Sequence, residues 1–289
     1  MQGPTSEARS RVEIRRLVEG FSVEITSKDR DNLREAAAHL PAETRIAVTY
    51  LPGEDMEARV ATAAAVRGVG HVPVPHISAR RLTSADELER FLRQLRERAA
   101  IDRAFVVGGD LHEAAGPYPD AMAIIRSGAL ARHGVARVGI AGYPDGHPDI
   151  PVATLTRSLV EKVGALREAG HEPVINTQFS FDHDSILTWL ERLRQDGVTA
   201  TVRVGVPGPT SVKTLLRFAA RCGVAASASV VQKYGISLTK LLSPVGPDRL
   251  VRHLAEGMDL GRHGDVRLHF YPFGGLAGTA RWLEIFMQD

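Results

Sequence analysis

Eight short apolar runs alternate with longer amphipathic stretches, and this alternation constrains the fold more than any other feature of the chain. The runs are Phe21–Ile25, Arg45–Tyr50, His71–Pro75, Ala104–Val107, Arg137–Ala141, Pro173–Asn176, Thr201–Val206 and Val266–Tyr271. They are rich in Val and Ile and bounded by Gly or Pro, the pattern of parallel strands buried on both faces. Helical patterns fill the gaps. Asp29 to His39 has apolar residues near helical spacing. Thr83-Ser84 opens a helix in which Leu88, Phe91, Leu92 and Leu95 share a face. Asp184-Ser185 caps a helix carrying Ile186, Leu187 and Leu190, and Thr210-Ser211 caps another.

Repeated strand–helix units close into a barrel or spread into a doubly wound sheet. The first strand runs into Thr26-Ser27-Lys28-Asp29 rather than a glycine-rich turn, so the barrel is favoured. A chain of 289 residues suits an α/β (β/α)8 TIM barrel of ~250 residues. The expected organisation is a single barrel over 1–289 with a short flexible N-terminal extension. The 36 basic and 34 acidic residues are interspersed, which gives no nucleic-acid footprint. No apolar stretch approaches the ~20 residues of a membrane span. Met1 to Arg16 is polar, without a secretory apolar core. A cytoplasmic homo-oligomer acting on a small molecule is expected. The lone cysteine, Cys222, reads as a buried thiol at a helix end.

In a barrel the active site lies where the strands end. Glu24 stands on the first strand, Thr49 and Tyr50 end the second, and His76 ends the third. Gly108-Gly109-Asp110 ends the fourth, Tyr143 to His147 the fifth and Thr177-Gln178 the sixth. Each has a plain structural reading: an outward or lysine-paired glutamate, a turn-closing aspartate, packed or loop histidines, a capping glutamine. Burial in a barrel mouth would instead raise the pKa of Glu24 and make it a proton donor. Two glycines before Asp110 would let a flat ligand approach the backbone. His76, His147 and Asp182-His183-Asp184 lack a recognised ligand spacing, so no metal is expected.

At these residues the chain resembles the methylenetetrahydrofolate reductase family. Glu24 stands where that family has its catalytic glutamate. RIAVTY, VPHIS, VGGDL, AGYPDGHP, NTQFSFD, GVPGPTSVKTLLRFA and LHFYPF follow its strand ends in order. The resemblance implies FAD-dependent reduction of 5,10-methylenetetrahydrofolate to 5-methyltetrahydrofolate, with NADH or NADPH reloading the flavin. It implies Glu24 as general acid and Asp110 beside the flavin, where its charge favours an iminium ion. Thr49, His76, Gly109, Asp110, Tyr143, His147 and Lys162 would hold FAD, and Gln178 and Tyr234 the folate.

The chain departs from the family in four places. Gly108 replaces the arginine of an Arg-Gly-Asp turn. Thr26-Ser27-Lys28 replaces Phe-Pro-Pro, Tyr234 a phenylalanine, and Pro272-Phe273-Gly274 a Leu-Asn-Arg. The Gly108 and Pro272 departures motivate one alternative, a related barrel flavoenzyme acting on another iminium or amine, and the altered loop after Glu24 motivates another, a non-catalytic folate- or flavin-binding partner subunit.

Overall fold

The computed structural model describes residues 6–51, 53–222, 224 and 244–288. The strands in chain order are β1 Ser22–Ile25, β2 Arg45–Val48, β3 Val72–Ser78, β4 Arg103–Val107, β5 Arg137–Gly142, β6 Glu172–Phe179, β7 Thr201–Pro207, β8 Thr210–Ser211, β9 Pro244–Val245 and β10 Val266–Tyr271. Eight of them close a parallel barrel in the order β1-β10-β7-β6-β5-β4-β3-β2, while β8 and β9 form a small antiparallel pair. The (β/α)8 barrel expected from the alternation is therefore what forms. Closure sets β1 against β10, with Ser22 opposite His269 and Val23 opposite Phe270.

The helices are α1 Ser6–Val18, α2 Leu33–Ala37, α3 Met56–Gly68, α4 Ala85–Ala99, α5 Ala121–Arg126, α6 Ala129–Arg132, α7 Val152–Glu168, α8 His183–Gln195, α9 Val212–Arg221, α10 Asp248–Gly257, α11 Leu260–His263 and α12 Leu276–Gln288. They wrap the barrel and bury the stripes that the periodicity marks. Leu88, Phe91, Leu92 and Leu95 of α4 are each at most 1% exposed. Among the described residues no helix is long and apolar enough to cross a membrane.

Several local outcomes differ from the sequence reading. Within the N-terminal extension, Ser6–Val18 form α1. Burial of Leu17 and Val18 ties its end down, and the Arg267 side chain donates to the Arg16 carbonyl at 2.8 Å. The helix expected over Asp29 to His39 is a 3-10 turn, Ser27–Asn32, followed by the short α2. Thr26 and Asp29 form a capping box there, with the Asp29 carboxylate accepting from both the Thr26 N–H and its hydroxyl at 2.8 Å. Asp182, not Asp184, caps α8. β2 stops at Val48, so Thr49 and Tyr50 lie in the following loop. β3 and β6 run on past His76 and Gln178. A register break between Asn176 and Phe179 lets β6 continue beside β7. Gly205 makes this possible, because a Cβ there would sit 2.6 Å from the Thr177 carbonyl oxygen.

Candidate active site

Side chains alternate across a strand, so Ser22 and Glu24 of β1 share a face, as do His269 and Tyr271 of β10. Ser22 Oγ lies 2.8 Å from His269 Nδ1. The other nitrogen of that ring, Nε2, lies 3.7 Å from the Glu24 carboxylate. His76 Nε2 approaches the same carboxylate oxygen from β3 at 3.6 Å. Both imidazoles are buried, His269 at 1% and His76 at 7% exposure. His76 packs on the Phe105 ring, 4.6 Å between centroids. Tyr271 closes the cluster, its hydroxyl donating to the Thr177 carbonyl at 3.0 Å.

Desolvation alone would raise the Glu24 pKa, as the sequence reading expected. It is outweighed by hydrogen bonding with His269 and by the fields of His76 and His269, so the carboxyl is held below its ordinary value. Burial pushes His76 down to about 4 against a smaller opposing pull from Glu24, with the fields of His269 and Arg59 adding to the lowering. At neutral pH the resting cluster is a carboxylate beside a neutral His76. Burial likewise pushes the Tyr271 phenol well up.

Asp110, beyond β4, belongs to a second group. Arg81 holds it through two bonds, Nε to Oδ1 at 2.8 Å and Nη2 to Oδ2 at 2.7 Å. The third branch of the fork donates to the Tyr50 hydroxyl at 3.0 Å, and the guanidinium lies 4.5 Å from the centre of that ring. Gly109 takes φ +93°, a left-handed conformation that favours glycine. Thr49 is placed by its N–H, which donates to the Ile25 carbonyl at 2.9 Å.

Around the ends of β5 and β6, Tyr143, His147, Gln178 and Cys222 line one small cleft. Tyr143 and His147 meet edge to face at 5.4 Å. Cys222, expected as a buried thiol, is half-buried at this cleft. Asp145 is raised by burial, against a hydrogen bond with Ser180 and with the help of Asp182. Lys162 stands on α7, where burial lowers its pKa against the field of Asp120. Tyr234 lies outside the described residues. The possible ligand atoms of Asp182, His183 and Asp184 lie within 4.8 Å of one another, but Asp182 is used as a helix cap.

The structure thus brings Glu24 and His76 together, groups Tyr143, His147 and Gln178, and keeps Asp110 with Arg81. Sequence reasoning missed Ser22, His269, Tyr271 and Arg81. Polar residues two apart in otherwise apolar strands, Ser22 with Glu24 and His269 with Tyr271, were the available signal.

Residues 21–273 match the methylenetetrahydrofolate reductase family. The chain belongs to that family. A solved structure of an uncharacterized protein from Clostridium thermocellum, which binds two copies of 5-methyl-5,6,7,8-tetrahydrofolic acid, superposes with a TM-score of 0.60 at 9% identity, covering 95% of this chain and 98% of that one. Dihydropteroate synthase from Thermus thermophilus superposes with a TM-score of 0.50 at 16% identity, covering 93% and 92%. These likenesses show the barrel fold.

For this member of the methylenetetrahydrofolate reductase family, the residues implied for FAD fit its flat ring better than its diphosphate. Thr49, Gly109 and Tyr143 follow β2, β4 and β5 along one arc of the mouth. A diphosphate needs cations or free N–H groups. Position 108 is glycine, and Arg81 spends its fork on Asp110 and Tyr50. His76 turns its ring to Glu24. Within the set, Lys162 on α7 is the cation left for the diphosphate.

Proposed function

We propose that this chain reduces 5,10-methylenetetrahydrofolate to 5-methyltetrahydrofolate, with hydride drawn from NADH or NADPH. The observation that carries this reading is the half-buried Glu24 carboxylate between His76 and His269, in a chain of this family. The 5-methyl folate bound by the Clostridium thermocellum protein is the product of the proposed reaction, which supports it.

The chemistry balances as one proton and one hydride. Protonation of folate N10 breaks its bond to the bridging methylene and leaves an iminium ion on N5. Hydride adds to that methylene carbon and gives the methyl group. Glu24 supplies the proton. Its resting carboxylate must first be protonated, and a folate seated over the mouth excludes water and favours the neutral acid. Asp110 offers negative charge to the iminium ion, tempered by Arg81. Gln178 hydrogen-bonds the pterin, and Tyr234 stacks on folate or nicotinamide. A flavin carrier is the second reading, favoured by the arc of Thr49, Gly109 and Tyr143. In that reading Tyr143, His147 and Lys162 would join in holding FAD, which would supply a hydride relay between the nicotinamide and the folate when bound.

The test is turnover of methylenetetrahydrofolate by the purified protein with NADH or NADPH, with and without added FAD, beside an absorbance spectrum. Formation of 5-methyltetrahydrofolate supports the proposal, and the spectrum decides between the two hydride routes. Consumption of another iminium substrate, or folate binding without turnover under every condition, overturns it.

A further inference from the structure

The end of the barrel opposite Glu24 holds a cavity of about 370 Å³. Five arginines line it: Arg45 on β2, Arg103 on β4, Arg137 on β5, Arg203 on β7 and Arg267 on β10. The space exists because Ser22, Ala47 and Gly139 stand where large branched side chains ordinarily fill a barrel.

Three carboxylates also line the cavity, Glu19, Glu172 and Asp265. Glu172 holds Arg137 at 2.7 Å and Asp265 holds Arg267 at 3.2 Å. Arg103 is gripped by its neighbour Asp102 through two bonds, at 2.7 and 2.8 Å. Glu19 stands exposed at the rim. Arg45 and Arg203 form no ion pair with any described carboxylate. Instead both donate through Nη1 to one acceptor, the Gly20 carbonyl, at 3.2 Å and 2.9 Å. Two like charges therefore converge on one oxygen. Arg203 is only 8% exposed. Its other contact, to Ser22 Oγ at 3.3 Å, uses the same nitrogen. Nε and Nη2 make no hydrogen bond to the described protein. Burial, followed by the fields of Arg45, Arg103 and Arg267, pushes the Arg203 pKa down to about 9. A buried guanidinium in this setting is stabilised by an anion.

We propose that this cavity binds a small, doubly charged oxyanion of the phosphate type, held by the forks of Arg45 and Arg203. Two guanidiniums without carboxylate partners match a dianion. Their planar donor pairs match its oxygens, as an ammonium would not. The cavity has room for a phosphate group with bridging water, free or as a small monoester, since a water occupies ~30 Å³. The site is separate from the folate mouth, so the proposal stands or falls independently of the proposed reduction.

The test is calorimetric titration of the full chain with inorganic phosphate and, separately, glycerol 3-phosphate, against chloride at matched ionic strength. Saturable binding at one site per chain is expected with one or both probes, and the tighter probe identifies the source of the phosphate group. Arg45→Gln should weaken it at least tenfold while leaving the circular dichroism spectrum unchanged. Arg203→Lys, which keeps the charge but loses the fork, should weaken it similarly. If Arg203→Lys fails to fold, Arg45→Gln carries the test. Saturating folate should not compete. Absence of saturable binding, unchanged affinity in Arg45→Gln, or displacement by folate overturns the proposal.

Discussion

Ser22 Oγ lies 2.8 Å from Nδ1 of His269, and this bond decides which end of the ring meets Glu24. Arg203, which can only donate, gives a hydrogen bond to the same Ser22 oxygen at 3.3 Å. Ser22 thus engages the Nδ1 side of the ring and leaves Nε2 facing the carboxylate. A polar thread thus runs along the barrel interior from Arg203 to Glu24.

Ser22→Ala breaks that thread without touching the reacting groups. Hydrogen bonding with His269 is one of the causes that lower the Glu24 pKa. Its loss should raise that pKa and move the high-pH fall of the rate, where the acid becomes ionised, towards higher pH. A shift of about one pH unit in the kcat/KM profile corresponds to about 1.4 kcal/mol. A purely structural role for Ser22 would lower the rate and leave the profile in place.

Glu24→Gln removes the proposed proton donor and keeps the shape of the side chain. A fall in kcat of roughly 10²–10⁴-fold is expected, with folate affinity changed by less than about tenfold. Steady-state turnover and folate titration of the variant measure both. Near-normal turnover would remove Glu24 from the proposed role.

His76 makes stability pH-dependent. Its folded pKa of about 4 lies below the ordinary value of 6.5, so below that value the unfolded chain takes up the proton first. The contribution is full above the unfolded pKa and is lost as pH falls towards the folded one, roughly 3 kcal/mol at the limit. The depressed Glu24 pKa adds loss in the same direction at lower pH. Urea unfolding of the wild type should weaken between about pH 7 and about pH 4.5, and His76→Gln should flatten that dependence. An equal slope in both proteins would contradict the burial argument.

Arg81→Gln tests the pairing that ties up Asp110. The Asp110 side chain is 60% exposed, so the pair contributes only about 0–1 kcal/mol to stability. The melting temperature should move little. Loss of the Arg81 charge leaves more of the Asp110 charge uncompensated beside the proposed iminium ion, and kcat should rise by up to about tenfold, since stabilising developing charge lowers the barrier. A lower kcat with an unchanged melting temperature would mean that Arg81 itself assists the reaction.

Gly139→Ala probes the barrel interior. An added Cβ would sit 2.7 Å from the Phe105 ring, which packs on His76. Overpacking of this kind costs roughly 1–3 kcal/mol, read as a lower urea midpoint. Unchanged stability would show that Phe105 has room to move.

The eight strand–helix units could be read from the chain because strand and helix periodicity are local properties, written in residues a few positions apart. The same locality made the start of α4 legible at Thr83-Ser84. It misled at Asp29 to His39, where the Thr26–Asp29 capping box tightened the turn. Glu24 and Asp110 stood out as ionisable residues at strand ends.

Which groups surround them was decided only by the tertiary structure. Closure of β1 against β10 sets Ser22 beside His269, and neither strand encodes that partner or its register. The charge state of Glu24 follows from this closure. Burial alone would raise its pKa, and two histidines brought from β3 and β10 reverse the sign. Arg81 likewise reaches Asp110 only because β3 and β4 are neighbours in the barrel. Electrostatics depends on distance through space, whereas periodicity depends on distance along the chain. The sequence by itself therefore determined the barrel and the place of Glu24 on its first strand, and folding decided the company that carboxylate keeps.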